Sequence, residues 1–110
     1  MGKSQRDKGA RGELEVLKLL HSYGWDKTVR GFASGGQGGG DLTGGPTDLL
    51  IEVKRTETTS PWAWISQAST ACRKGEWWAV FFRRNSSGWH VIVDADKFLQ
   101  LVKSAEAGNQ

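Results

Sequence analysis

Cysteine, methionine and proline are nearly missing from this sequence, with one, one and two copies in 110 residues. The lone cysteine, Cys72, excludes an internal disulfide and a zinc ribbon, and fits a reducing, cytoplasmic compartment. Missing too is any apolar run approaching the roughly 18 residues of a membrane span. The opening "MGKSQRDKGARGE" is charged rather than signal-like, so no membrane or secretory route is expected. Neither sign of charge dominates. Fifteen basic against 12 acidic residues leave a formal +3, which permits a nucleic-acid partner without requiring one. His21 and His90 have no partners at metal-ligand spacing and read as structural or exposed. There is no internal repeat. The length suits one domain over 1–110, with flexible ends at 1–7 and 104–110.

What the chain holds in quantity is glycine and tryptophan, 15 and six copies. "KGARGELEVLKLLHSYG" has the apolar spacing of a helix that Gly24 stops. A short strand in "WDKTVRGF" leads to a glycine-rich loop, Ala33 to Gly40, and a second strand begins at Asp41. After the turn "GGPTD" comes the most strand-like run, "LLIEVKRT". "SPWAWISQASTACRKGE" reads as a helix with Ser60 as N-cap, Pro61 at its first position and Gly75 past its end. "WWAVFFRR" and "GWHVIVD" are strands joined across "NSSG", and "ADKFLQLVK" is a terminal helix. The expected order is α-β-β-β-α-β-β-α, an α/β domain with a central mixed sheet flanked by helices. "WWAVFF" alternates poorly, so both faces of that strand should be covered, with a partner subunit a candidate cover for one of them.

Three acids break these patterns. Advancing about 100° per residue gathers Ala10, Leu14, Val16, Leu17 and Leu20 of the first helix on one arc. Glu13 falls in the middle of that arc, with Glu15 opposite, beside Arg11 and Lys18. A carboxylate there is costly to bury unless it is paired, hydrogen-bonded or bound to metal. The plainer reading is an end effect, because the first turns of a helix favour acids. On the third strand Glu52 and Lys54 share one face, and Ile51 and Val53 the other. Asp41, opening the neighbouring strand, can converge on Glu52; Asp48 sits too far along Glu52's own strand to do so. Two adjacent carboxylates repel and want a cation, and hard oxygen donors with open water positions suit Mg²⁺ or Mn²⁺. A lysine beside them can hold an attacking water or steady charge on a phosphate. That is equipment for phosphodiester hydrolysis. Glu-x-Lys alone also decorates the wet face of a half-buried sheet; the combination carries the specificity.

Glu13 in "KGARGELEVLKLL", Asp41 in "GGGDL" and Glu52-x-Lys54 in "IEVKRT" together resemble the PD-(D/E)XK nuclease superfamily. Within it the chain resembles the archaeal-type Holliday junction resolvases, from Lys8 to Thr56 and more faintly to Asp94. The resemblance implies a restriction-endonuclease-like core and a Mg²⁺-dependent endonuclease, with Mn²⁺ able to substitute. It implies paired cutting of four-way DNA junctions by a homodimer. Asp41 and Glu52 would ligate the metal with the Val53 carbonyl, Lys54 would act on the phosphate or the attacking water, and Glu13 would orient the metal or its water. Ser34 matches a functional loop serine, and Gln67 on the second helix faces the site. Arg30 would contact phosphate. With Arg55 and the N-terminal Lys3, Arg6, Lys8 and Arg11 it would give shape-tolerant affinity for the DNA backbone. The extra loop glycines and the brief C-terminal part depart from the family, and bear on dimer geometry and junction contacts. Two alternatives stay open: another nuclease of the superfamily that nicks or cuts duplex DNA, and an inactive DNA-binding module of the same fold.

Overall fold

The computed structural model describes residues 2–31 and 40–108. The eight expected elements occur in the expected order. Helix α1 (Gly2–Ser22) precedes three strands, β1 (Val29–Arg30), β2 (Leu42–Thr43) and β3 (Leu49–Arg55). Helix α2 (Pro61–Ala71) leads to β4 (Trp77–Arg83), β5 (His90–Ile92) and helix α3 (Ala95–Gly108). The strands form one mixed sheet in chain order, antiparallel except where β3 and β4 run parallel on either side of the α2 crossover.

That parallel pair is the spine of the domain, in register from Leu49 opposite Trp77 to Arg55 opposite Arg83. Both of its faces are covered, as the unbroken apolar run "WWAVFF" requires. On one side α1 lays Val16 and Leu20 against Leu42, Ile51 and Val53. On the other, α2 lays Trp64 and Ala68 against Leu50, Trp78 and Val80. Strand alternation then sends Glu52 and Lys54 out on the α2 side, with Leu50.

The stripe that α1 buries differs from the arc read off the sequence. Leu14 is 41 % exposed, and the covered line runs through Gly12, Val16 and Leu20. Gly12 sets it: a Cβ there would lie 2.8 Å from the Arg55 Cβ, so only glycine lets the helix sit this close to β3. Glu13 and Glu15 flank that line on opposite sides. Glu15 therefore does not stand away from the sheet beside Arg11 and Lys18; it reaches over β4.

The ends also moved. Gly24, at φ +104°, donates its N–H to the His21 carbonyl and stops α1 as expected. The following segment turns rather than extends, because Thr28 is buried with its hydroxyl on the Trp25 carbonyl at 2.8 Å. Strand β1 is thus cut to two residues. Helix α2 stops at Ala71, where Cys72 turns extended (φ −64°, ψ 134°), and Ser60 makes no side-chain cap bond. Helix α1 begins at Gly2 and α3 continues to Gly108, so helix occupies stretches expected to fray. No helix among the described residues is long and apolar enough to cross a membrane.

Candidate active site

Asp41 reaches β3 because β2 stops pairing there. The ladder between β2 and β3 holds Leu42 opposite Ile51. One residue earlier the Asp41 N–H donates to the Ile51 carbonyl at 2.7 Å, and the Val53 N–H donates to Asp41 Oδ2 at 2.7 Å. The carboxylate thus takes the place of a strand carbonyl on the edge of β3. From the other side, Gly31 N–H donates to the Asp41 carbonyl at 2.7 Å. Asp48 has no such position. It lies exposed at φ 60° in the turn before β3, its carbonyl taking the Trp77 N–H at 2.8 Å.

Glu52, next to Val53, is only 5 % exposed. Burial and the neighbouring Asp41, through charge and a hydrogen bond between the two carboxyls, push its pKa up to about 8. Glu13 adds a smaller push the same way, and Lys54 pulls against it. At neutral pH the pair therefore shares a proton where a cation would relieve the same repulsion. On the same face Lys54 Nζ donates to Gln67 Oε1 at 2.7 Å, so α2 restrains the ammonium beside the carboxyls.

Glu13 and Arg30 meet at the rim: Glu13 Oε1 accepts from Arg30 Nε and Nη2, both at 2.8 Å. Among the described residues no three or more His, Cys, Asp or Glu side chains gather as a metal cluster. Glu13 is thus not a third side-chain ligand in this arrangement, and acts on Glu52 through its charge. The oxygen donors that the structure brings together here are the Asp41 and Glu52 carboxyls. They fit Mg²⁺, an ion that takes one or two carboxylates and keeps several waters.

The other residues expected at the site divide. Arg55 lies on the α1 face with Val53, away from Lys54, its Nε 3.4 Å from Glu15 Oε2 and buried without a hydrogen bond. One of the cations expected to contact the DNA backbone, Arg55 therefore sits on the sheet face opposite Lys54. Glu15 Oε1 also accepts from Arg83 Nη1 at 2.8 Å and Trp89 Nε1 at 3.1 Å. Lys8 pairs with Glu57 at 3.5 Å, Arg11 is exposed, and Ser34 lies outside the described residues.

Sequence periodicity missed the Glu15 network because Glu15 falls off the apolar arc. Gly12 was the available signal, since a mid-helix glycine costs about 1 kcal/mol against alanine and here marks a close approach. Glu15→Ala strands two guanidinium groups and an indole N–H. It is expected to lower stability by about 1–3 kcal/mol, read by urea denaturation. Glu13→Ala, which releases only the exposed Arg30 at the rim, should cost little stability. No family model, no curated protein and no solved structure matches this chain.

Proposed function

We propose that the protein is a metal-dependent, structure-selective DNA endonuclease with a restriction-endonuclease-like core, and that as a homodimer it resolves four-way junctions by paired phosphodiester hydrolysis. The observation that carries this reading is the buried Glu52 set against the half-buried Asp41, whose carboxylate accepts from the Val53 N–H at 2.7 Å, beside a lysine that Gln67 restrains. A carboxyl buried on a core strand with a second one set against its edge costs folding energy, and such arrangements cluster at working sites.

Asp41, Glu52 and the Val53 carbonyl would hold Mg²⁺ or Mn²⁺, which when bound supplies an activated water and offsets charge on the phosphate. The protein's own groups do the rest. Asp41, tied to the Val53 N–H, fixes one oxygen ligand against the strand. Glu52 gives up its proton on loading. Lys54 donates to a phosphate oxygen or to the attacking water. Arg30 offers a cation for the DNA backbone at the rim, and Arg11 another from α1. Preference for a junction follows from the resemblance and from symmetry, since two sites about a dyad deliver two matched cuts.

The test is cleavage of a labelled four-way junction beside a linear duplex of the same sequence, with Mg²⁺ and with EDTA. Paired, metal-dependent cutting of the junction alone is expected. Equal cutting of both keeps the nuclease and removes the junction preference. Asp41→Asn should weaken divalent-ion binding by roughly tenfold or more in calorimetry. Wild-type protein that binds junctions but no divalent ion would be an inactive DNA-binding module.

A further inference from the structure

Helix α3 is attached to the domain without being covered by it. Among the described residues it buries none of its 14, and Phe98, Leu99 and Leu101 are 55, 56 and 43 % exposed. The Lys97 ammonium sits 4.7 Å from the centroid of the Trp77 ring and fixes which side of the helix faces the sheet. Advancing about 100° per residue from there places exposed Ala95, Phe98 and Leu99, with half-buried Val102, on a stripe turned away from Lys97. An apolar helical stripe facing water marks a contact surface.

Two charges select the occupant. Asp96 and Lys103 are seven residues apart, hence at one heptad position along one flank of the stripe. When two copies of a helix pack antiparallel, equivalent flanks meet. A dyad midway between Leu99 and Gln100 then sets Asp96 of each copy opposite Lys103 of the other. Parallel packing would instead set this flank against the opposite flank of the partner, leaving Asp96 and Lys103 without these pairs. A shallow groove lined by Asp96, Leu99, Gln100, Lys103 and Ser104 runs along this flank. The surface is complementary to itself in one orientation.

We infer that α3 is the contact between two copies of this chain, packed antiparallel through Phe98, Leu99 and Val102 with reciprocal Asp96–Lys103 pairs. A helix of this length spans about 21 Å, so the contact is at the small end of specific interfaces and dissociates in the micromolar range. The inference locates the dimer that the proposed function calls for, and its test uses no cleavage assay, so each can fail without the other.

Sedimentation equilibrium of the full chain, from micromolar to millimolar, reads the mass, and circular dichroism checks folding. The wild type should have the mass of two chains at high concentration, and Leu99→Asp the mass of one with an unchanged spectrum. Asp96→Lys alone and Lys103→Asp alone should each raise the dissociation constant by roughly tenfold, as like charges meet. Mixing these two variants in equal amounts should restore association, because every flank pair in the mixed dimer is again opposite in sign. A wild type that stays monomeric, a Leu99→Asp variant that stays dimeric, or a mixture that fails to associate would each overturn the contact. A monomer that cuts DNA removes this contact and keeps the nuclease; a dimer that cuts nothing does the opposite.

Discussion

At neutral pH and above, Glu52→Gln is expected to give a more stable protein that no longer cuts DNA. The folded chain holds Glu52 protonated up to about 8, whereas the ordinary value is 4.5. Below 4.5 the side chain is protonated folded or unfolded, and the raised pKa costs nothing. Between 4.5 and 8 the unfolded chain releases a proton that the folded chain keeps, so stability falls with each pH unit. The loss is complete once pH has passed the folded value. At pH 7 this amounts to something of order 3 kcal/mol. Glutamine has no proton to lose and can donate its amide to Asp41.

Thermal denaturation from about pH 5 to 9 should therefore show a sloping midpoint for the wild type and a flatter one for Glu52→Gln, separated by about 10 °C near neutrality. Cleavage should fall by roughly a thousandfold or more, since a proposed metal ligand is gone. Junction binding should persist or strengthen, because less negative charge faces the phosphates. A variant whose midpoint drops by the same amount at every pH would make Glu52 an ordinary structural hydrogen-bonding group. The wild type carries a further signature. Mg²⁺ competes with the proton, so at limiting metal its cleavage should climb with pH toward about 8 and then level.

The parts of this site legible in the sequence were those fixed by short-range rules. Alternation alone puts Glu52 and Lys54 on one face and Val53 on the other. The Gly/Pro turn before Leu49 folds Asp41 back toward that strand. Ser60, Pro61 and Gly75 announce the helix that carries Gln67, whose place at the site only the resemblance implied. The features that were not legible depend on how helix and sheet dock. Whether Glu13 or Glu15 faces the carboxyls turns on the rotation of α1 about its axis, and that rotation is set by the close approach of Gly12 to Arg55. The same docking carries Arg55 away from Lys54, although the two are adjacent in the chain. Helix α3 is the other case. It continues past Lys103 to Gly108, and its stripe at Phe98 and Leu99 has no cover among the described residues.

Gly40→Ala is expected to disable the site by a different route, through the backbone that holds Asp41. A Cβ at Gly40 would overlap the Ile51 carbonyl oxygen and come within 2.8 Å of its carbon. Gly31 is as confined from the other side, since a Cβ there would meet the Gly40 carbonyl oxygen at 2.7 Å. The segment entering Asp41 is thus wedged between two backbones, with glycine at both crossings. Neither wall is the tip of a flexible side chain that can swing aside. Alanine at Gly40 must push Asp41 off β3, breaking the Asp41 N–H bond to Ile51 and the Val53 N–H bond to the carboxylate. With the steric overlap, the expected loss is about 3 kcal/mol or more. Cleavage should drop by roughly a hundredfold even where the variant is fully folded, because a ligand misplaced by about 1 Å costs that much. Gly9→Ala is the matched control. Its Cβ would meet nothing within 4 Å on α1, so the same chemical change should stabilise by about 0.5–1 kcal/mol and leave cleavage unchanged. Urea denaturation and single-turnover cleavage of both variants decide the matter. If Gly40→Ala matches Gly9→Ala in both, the edge of β3 tolerates displacement and the Asp41 geometry does not depend on it.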